Sequence, residues 1–382
     1  MLLRELFFRE DAAAPKKLGR AFNHLEDLVF FHGSQGTLEA LQHLKDFATE
    51  PGSKSIRMKW DGNPQVYWGR EVAGGPLILA GHNGWARGAK YSNPADIYDF
   101  IVNKSGSPKT PQEKADREAF GKQFANLYPL FDAATPKDFV GFVYADALFL
   151  SRPALNQQGV YDFCPNPKSQ TCYHVRADSE LGQRVANAQV MVVGHAYFPQ
   201  FGMEDRAQQA MDDFSMFNNT PGLIVQGPIY NTTPLQVNNK GVAQVEQYLK
   251  QHAGQIDGFL QSTAGLSDLK EIIYKYVNQT AKAKQLDTIS TDAFFNWLQS
   301  SGVSAPKQQK IMALSKQFNS GLDAIFNLVR QIQNIKDVVI DQLEAGHSAD
   351  VWDTHGEGRV RYADPGKQFG NVKLVPRKRW TP

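Results

Sequence analysis

Hydrophobic residues alternate with charged residues from Ile56 to Asp61. This period of two is typical of a strand that buries one face. The residues Asp-Gly-Asn-Pro at 61–64 favour a tight turn, and a second apolar stretch runs to Arg70. The segment therefore predicts a hairpin that holds Lys59 and Asp61, two residues apart, at its turn.

Longer apolar runs predict further strands, several of them buried on both faces. These runs cover residues 77–80, 139–150, 190–198 and 222–230. Asp146 interrupts one of these runs. A buried carboxylate is costly unless it is paired or binds a metal. Alternatively, Asp146 sits at the end of its strand, in water. His195 interrupts another, and we interpret it as a hydrogen-bonded core histidine rather than a catalyst.

Helical periodicity dominates three other parts of the chain. Residues 1–50 and 94–132 carry apolar faces, and we expect the first of these regions to pack against a sheet. From about residue 236 to 345 the chain is helical, as the i, i+3, i+4 and i+7 pattern from Leu269 to Tyr276 illustrates, and Gly346 is a natural helix stop. The last 35 residues alternate again. The pattern predicts an α+β protein.

The predicted organisation has three parts. Residues 1–235 form the first part of a domain, residues 236–345 form a helical module, and residues 346–382 return to the first domain with its last strands.

Composition narrows the class of protein. With 42% hydrophobic and 21% charged residues, the chain is typical of a soluble globular protein, and its net charge of +2 carries no general nucleic-acid signature. No apolar run is long enough to cross a membrane, and the first residues do not form a signal peptide. We interpret Cys164 and Cys172 as reduced thiols of a cytoplasmic protein, with a bridge between them as the alternative.

Four motifs occur in an order that carries a family resemblance. Lys59-Trp60-Asp61-Gly62 is followed by Asp146 on its apolar strand, then by Glu357-Gly358-Arg359-Val360, and finally by Lys373 within residues 372–375. This order resembles the covalent nucleotidyltransferases, which comprise DNA ligases, RNA ligases and mRNA capping enzymes.

The resemblance extends over roughly residues 20–230 and 350–380, and it is strongest to ligase-like proteins of tailed phages. These proteins share the His-Leu-Glu-Asp-Leu segment at 24–28 and the ending around Gly370–Arg377. The resemblance implies two packed antiparallel sheets with flanking helices, into which the helical module is inserted. For a phage-encoded protein, the cytoplasm would be that of the host.

The resemblance also implies a role for each motif. Lys59 would attack the α-phosphate of ATP, with neighbouring cations and Mg²⁺ favouring its neutral amine, and Asp61 would orient it and the ribose. Asp146 and Glu357 would bind Mg²⁺ (or Mn²⁺) or the sugar hydroxyls. Lys373 would hold the α-phosphate.

Two further roles have several candidates each. An arginine that binds the ribose or the incoming phosphate would be Arg70 or Arg87, with Lys90 as a third candidate. An aromatic residue that stacks on adenine would be Tyr144 or Phe142.

The sequence departs from the family pattern near its end. Val375 occupies the position of a second lysine, and Arg377 or Lys378 would have to replace that lysine. No OB-fold follows the last motif, which favours RNA over DNA as the substrate.

The implied function is an ATP-dependent polynucleotide ligase that joins 3′-hydroxyl and 5′-phosphate ends, with the helical module as a clamp on the nucleic acid. The alternatives are a DNA ligase, a capping-type enzyme that uses GTP, and an inactive relative that binds nucleotides or nucleic acid.

Overall fold

The structure is a computed structural model of an α+β protein. It describes residues 23–49, 56–60, 62–108, 110–166, 171–204, 207–209, 211–227, 229–230, 235–262, 266–318, 320–346, 351–353, 359–362, 372–374 and 377. The strands are β1 (Asn23–His24), β2 (Ile56–Lys59), β3 (Gln65–Arg70), β4 (Ile78–Gly81), β5 (Gly141–Phe149), β6 (Val160–Asn166), β7 (Thr171–Arg176), β8 (Val190–Phe198), β9 (Leu223–Gln226), β10 (Ile229–Tyr230), β11 (Val351–Asp353), β12 (Arg359–Tyr362) and β13 (Val372–Leu374). The helices are α1 (Leu28–Thr49), α2 (His82–Ala86), α3 (Pro94–Asp99), α4 (Pro111–Ala125), α5 (Tyr128–Ala134), α6 (Glu180–Val185), α7 (Asn239–Gln261), α8 (Leu269–Lys282), α9 (Thr291–Ser300), α10 (Ala305–Gln317) and α11 (Gly321–Gly346).

The described strands form three sheets. The motif sheet has the order β1-β13-β12-β2-β10, the central sheet has the order β4-β3-β5-β8-β9, and a smaller sheet has the order β11-β7-β6. The prediction of an α+β protein is confirmed. The sheets are not purely antiparallel, however, because β1 pairs with β13 and β8 pairs with β9 in parallel.

The central sheet is buried on both faces, as its apolar runs predicted. Val66, Trp68 and Val143 lie on the face that packs against Phe124 and Phe131 of the flanking helices α4 and α5. The other face is covered at one end by the aromatic residues around Trp85 and at the other end by the small sheet. Burial of this much apolar surface is the main force that holds the layers together.

Helix α1 belongs to the helical core. Its residues Leu41, Leu44 and Phe47 join one apolar cluster with α7, α8 and α11. The same cluster contains Leu25 and, from β13, Leu374, so the described part of residues 1–50 packs against the motif sheet as well as against helices. The helices that bury the apolar face of α1 lie 190 or more residues further along the chain.

Helix α1 changes direction at Gly33. Its φ of +67° is a left-handed conformation that favours glycine, and an added Cβ would meet the Asp257 carboxylate. Asp257 accepts hydrogen bonds from the Ser34 amide and hydroxyl at 2.8 and 2.5 Å. This break lies within residues 32–36, where two glycines disfavour a regular helix.

Cys164 and Cys172 form a disulfide bond between the paired strands β6 and β7, with their Cα atoms 4.1 Å apart. The interpretation of both cysteines as reduced thiols is therefore wrong. Pairing of the two strands brings both thiols within bonding reach, and spacing along the chain does not reveal such a pairing.

Among the helices that the structure describes, none is both long and apolar enough to cross a lipid bilayer.

Candidate active site

The motif sheet brings the segments around the first and last motifs together. Lys59 on β2 pairs with Arg359 on β12, and Arg361 on β12 pairs with Lys373 on β13. The strand that follows Glu357 thus lies between the strand of Lys59 and the strand of Lys373. Segments about 300 residues apart in the sequence become direct neighbours.

Basic positions fall on one face of this sheet. Directly paired positions of antiparallel strands share a face, as do positions two apart on one strand. The basic positions that share this face are Arg57, Lys59, Arg359, Arg361 and Lys373. The alternate positions are apolar, and Leu374 among them is buried in the helical core. The register therefore gives one face of the motif sheet five basic positions, and cations of this kind suit phosphate groups.

The turn after Lys59 is fixed to the central sheet beside Asp146. The Asn63 amide donates to the Ala147 carbonyl at 2.8 Å, and the Ala147 amide donates to the Pro64 carbonyl at 2.9 Å. A Cβ at Gly62 would lie 2.3 Å from the Ala147 carbonyl oxygen. Glycine at this position allows the close approach of the turn to β5. The motif turn and Asp146 are therefore neighbours.

Asp146 belongs to a group of polar side chains on the central sheet, which we call the sheet cluster. Tyr144 Oη donates to Asp146 Oδ1 at 3.2 Å, and Gln65 Nε2 donates to Tyr144 Oη at 3.0 Å. His195 Nε2 lies 3.1 Å from Asp146 Oδ2, an ion-pair distance when the imidazole is protonated. Asp146 and His195 are each 4% exposed. The carboxylate is thus paired, as the sequence requires of a buried acid.

The two candidates for adenine stacking differ in accessibility. Phe142 is completely buried among Trp85 and Phe201, so its ring faces are not available to a ligand. Tyr144 is half-buried and stacks on Tyr67, with ring centroids 5.0 Å apart. Between the two, only Tyr144 keeps part of its ring accessible beside Asp146.

Arg70 lies at the opposite end of β3 from Gln65 and is completely buried. Its guanidinium forms an ion pair with Asp132 at 2.6 Å and donates to the Gly75 carbonyl at 2.7 Å. Burial alone would raise the pKa of Asp132, but hydrogen bonds from Arg70 and Lys137 outweigh it and lower that pKa. Arg70 therefore holds a loop to helix α5. The prediction that it binds the nucleotide does not agree with this position.

Arg87 and Lys90 lie in the loop after α2. Arg87 donates to the Lys104 carbonyl at 3.2 Å, and Lys90 forms an exposed ion pair with Glu71 at 2.6 Å. Neither contacts the sheet cluster within the described part of the chain. Their predicted role in nucleotide binding stays a prediction.

Arg377 is buried in the helical core, within a group that we call the anchor cluster. This cluster consists of Glu26, Asp27, Lys336 and Arg377, all completely buried. Arg377 Nη1 lies 3.1 Å from Glu26 and 2.5 Å from Asp27, and Lys336 Nζ lies 2.6 Å from Glu26. The suggestion that Arg377 replaces the missing second lysine is therefore wrong, because its guanidinium is enclosed by carboxylates. Lys378, the other candidate, lies outside the described residues.

The two acids of the anchor cluster titrate differently. Burial alone would raise the pKa of Glu26, but the charges of Lys336 and Arg377 outweigh it and this pKa is lowered. Burial raises the pKa of Asp27 to about 6, opposed by Arg377 and reinforced by the charge of Glu26. The cluster therefore keeps Glu26 ionised and lets Asp27 take up a proton near pH 6.

Asp61 and Glu357 lie outside the described residues, and Lys59 and Lys373 are described through their backbones alone. No group of three or more metal-ligating side chains occurs in the described ranges. Mg²⁺ is usually held by one or two carboxylates together with substrate phosphates. Asp146, which neighbours the motif turn, is a carboxylate of this kind.

Comparison with protein-family models gives a single assignment. The model of a family of unknown function, DUF6267, matches residues 20–76 and 127–380. The chain belongs to DUF6267. No curated protein and no solved structure matches the chain. The DUF6267 ranges include the motif sheet, Asp146 and the anchor cluster, and residues 77–126 lie between them.

Sequence reasoning missed several residues of the site in this DUF6267 chain. Arg57, Arg359 and Arg361 extend the basic face, and Gln65 extends the sheet cluster. Alternation along each strand placed the arginines on one face of that strand. The register between β2 and β12 shows that these positions lie on the same side of the motif sheet.

Proposed function

We propose that this protein is an ATP-dependent polynucleotide ligase that acts through a covalent Lys59-AMP intermediate. The observation that carries the proposal is the register of the motif sheet, in which β12 lies between the strands of Lys59 and Lys373. A ligase nucleotidyltransferase fold requires its attachment lysine, its Glu-Gly strand and its last lysine to meet in this way. Contact of the motif turn with the strand of Asp146 adds the fourth motif.

The proposed first step is nucleotide transfer to the enzyme. The neutral Lys59 amine attacks the α-phosphorus of ATP, a P–N bond forms, and the bond to the bridging oxygen breaks as pyrophosphate leaves. Arg57, Arg359, Arg361 and Lys373 supply the positive face on which the triphosphate lies. Fixed cations of this kind stabilise the charge that develops on the phosphoryl oxygens.

The sheet cluster has a positioning role in this proposal. Tyr144 donates to one oxygen of Asp146 and His195 Nε2 lies 3.1 Å from the other, so the carboxylate is oriented before the substrate binds. Asp146 would then bind a ribose hydroxyl or Mg²⁺, together with Glu357. Bound Mg²⁺ would neutralise phosphate charge and favour departure of pyrophosphate.

Later steps join the strands. A 5′-phosphate oxygen of the nucleic acid attacks the phosphorus of Lys59-AMP and releases the amine, and a 3′-hydroxyl then displaces AMP to form the phosphodiester. The sequence resemblance favours RNA as the substrate. Sealing assays on nicked RNA and nicked DNA decide between the two.

A second candidate is an inactive relative that binds nucleotide or nucleic acid without forming an adduct. The observation that favours it is the burial of Arg377 among Glu26 and Asp27, because this arginine cannot supply the charge that Val375 lacks. Such a protein would retain the basic face and bind phosphate groups through it.

Incubation with α-labelled ATP or GTP and Mg²⁺ distinguishes these functions. Ligase activity predicts label on the protein from ATP, and capping-type activity predicts label from GTP. Lys59→Ala abolishes the label, whereas Lys250→Ala, an exposed lysine on α7, retains it. Absence of label with either nucleotide, for a protein that still binds them, would favour the inactive relative.

A further inference from the structure

The Cys164–Cys172 disulfide lies on the outward face of the small sheet. Cys164 is exposed and Cys172 is half-buried, whereas the neighbouring residues Phe163 and Tyr173 are buried. Alternate side chains of a strand face opposite sides of a sheet, which explains this pattern. The bond is therefore accessible to small molecules from the side of Cys164, while the side chains next to it belong to the core.

The disulfide bridges a break in the ladder between β6 and β7. Phe163 pairs with Tyr173 and Asn166 pairs with Thr171, so β6 has one residue more than β7 in this interval. Such a bulge leaves the extra residue unpaired and locally disrupts the hydrogen bonds. Pro165, which lies in the bulge, has no backbone N–H to donate. The covalent bond thus links the two strands in the interval where their hydrogen-bond ladder is interrupted.

Trp60 packs directly behind this part of the small sheet. Its ring stacks on Tyr173, with centroids 5.0 Å apart and planes inclined by 11°, and the Tyr173 ring lies 5.8 Å from the Phe163 ring. Trp60 is 2% exposed and follows Lys59 directly in the chain. The aromatic residues that support the neighbour of Lys59 are therefore the same ones that adjoin the two cysteines.

The hairpin of β6 and β7 has other contacts that keep it folded when the bond is open. Four consecutive pairs join residues 160–163 to residues 173–176, and β11 pairs with the other edge of β7. Tyr161 and Val175 are buried in the apolar cluster beneath the sheet. Opening of the bond would therefore loosen the bulged end without separating the strands, and the two thiols would stay close enough to pair again.

We propose that the Cys164–Cys172 bond is a reversible redox site for small-molecule thiols, and that its opening loosens the packing of Trp60 beside Lys59. A thiolate from solution attacks Sγ of Cys164, the S–S bond breaks, and Cys172 leaves as a thiolate that takes a proton from water. A second thiol molecule then attacks the mixed disulfide, so that two thiols become one small-molecule disulfide and both cysteines are reduced. The reverse sequence, with a small-molecule disulfide as the oxidant, closes the bond again.

Hydrogen exchange followed by mass spectrometry tests the proposal on the full-length protein. Reduced glutathione is the probe thiol, and the number of cysteines that react with an alkylating agent measures opening of the bond. We expect both cysteines to react, and amide exchange in the peptide that contains Trp60 to become about tenfold faster, because local opening is easier without the cross-link. Exchange in peptides from α11 should not change, and oxidised glutathione should restore the slow exchange.

Three results would each overturn the proposal. The bond could stay closed in an excess of glutathione, or exchange in the Trp60 peptide could be the same in the oxidised and reduced protein. Reduction could also cause a global loss of structure, measured by circular dichroism, and the bond would then be a structural cross-link.

A double variant assigns the effect to this bond. Cys164→Ser combined with Cys172→Ser cannot form the bond, so its Trp60 peptide should exchange as fast as that of the reduced wild-type protein, with or without glutathione. Slow exchange in this variant would contradict the proposal. If the variant does not fold, the comparison of oxidised and reduced wild-type protein still decides the outcome.

The consequence for catalysis rests on the proposed function. If Lys59 is loaded with AMP, the reduced protein should form the adduct more slowly than the oxidised protein, and the rate should recover when the bond closes. Equal rates in the two states would overturn this consequence. Hydrogen exchange does not depend on ligase activity, so a protein that forms no adduct in either state contradicts the ligase proposal and not the redox site.

Discussion

The anchor cluster and the sheet cluster both contain buried charged side chains, and they differ in charge balance and in surroundings. The anchor cluster has two acids and two bases, each completely enclosed by the helical core. The sheet cluster has a single carboxylate, Asp146, beside His195, and it ends in the half-buried side chains of Tyr144 and Gln65. A balanced cluster that is enclosed on all sides is suited to holding segments together, whereas a single carboxylate next to half-buried polar side chains is suited to binding a ligand.

The positions of the two clusters in the fold support the same distinction between a structural and a ligand-binding role. The anchor cluster joins residues just after β1 to Arg377, three residues after the end of β13. Because β13 carries Lys373, this cluster fixes the last motif strand against the helical core. The sheet cluster lies where the turn after Lys59 meets β5. In the proposed site, the anchor cluster therefore supports the last motif strand, and the sheet cluster contributes a carboxylate.

The largest expected effect is a loss of stability when the anchor cluster is disrupted. Arg377→Met leaves two buried carboxylates without their shared partner, and we expect a loss of about 3–5 kcal/mol in the free energy of unfolding. Arg176→Met removes an exposed ion pair with Asp178 and should cost less than about 1 kcal/mol. Urea unfolding followed by circular dichroism measures both. Similar losses in the two variants would contradict the enclosed nature of the anchor cluster.

Asp27→Asn sharpens the comparison through pH. The pKa of Asp27 rises from 3.8 to about 6 on folding, so Asp27 favours folding below about pH 4 and this contribution is lost as the pH rises through 6. Asparagine keeps an oxygen for Arg377 and does not titrate. Relative to the variant, the wild-type protein should lose up to about 3 kcal/mol of stability between about pH 4 and pH 7. Parallel stability curves over this range would show that Asp27 does not titrate as described.

Asp146→Asn tests the sheet cluster. Asparagine retains an oxygen for Tyr144 but removes the charge. We therefore expect adduct formation from ATP to be about a hundredfold slower. The free energy of unfolding should change by less than about 1 kcal/mol. The matched control is Asp162→Asn, because Asp162 pairs with His174 at 2.7 Å on the small sheet. Adduct formation should be unchanged in the control. If Asp146→Asn loses stability but forms the adduct at the wild-type rate, the role of Asp146 is structural, like that of the anchor cluster.

A smaller effect is expected for Tyr144→Phe. The hydroxyl lies between Gln65 and Asp146, and loss of one hydrogen bond should slow adduct formation by about fivefold. Tyr197→Phe, which removes a hydroxyl that donates to the Val140 carbonyl just before β5, serves as the control. If wild type and Tyr144→Phe form the adduct at equal rates, this hydroxyl does not position Asp146.

Local patterns predicted the elements better than they predicted the partners of those elements. The apolar run around Asp146 became β5, and the helical region that begins near residue 236 became α7–α11 and ends at Gly346. Periodicity depends on neighbouring residues and is readable from them. The packing of α1 against α7 depends on residues about 200 positions away, and no local pattern reports it.

The same limit explains the errors at individual residues. Arg377 follows a lysine-bearing strand and is one of two candidates to replace the second lysine, but Glu26 and Asp27 enclose it across 350 residues of sequence. Arg70 follows the motif turn by a few residues, yet the length of β3 carries it to the far end of the sheet. Residue type indicated a cation in each case, but tertiary contacts decided which groups that cation pairs with.

The central claim is that Lys59 becomes covalently loaded with AMP. Intact-mass measurement after incubation with ATP and Mg²⁺, followed by peptide mapping under conditions that preserve the acid-labile P–N bond, tests it directly. We predict a mass increase of one AMP group, located on Lys59 and absent from Lys59→Arg. An unmodified wild-type protein, or AMP located on another residue, would contradict the account.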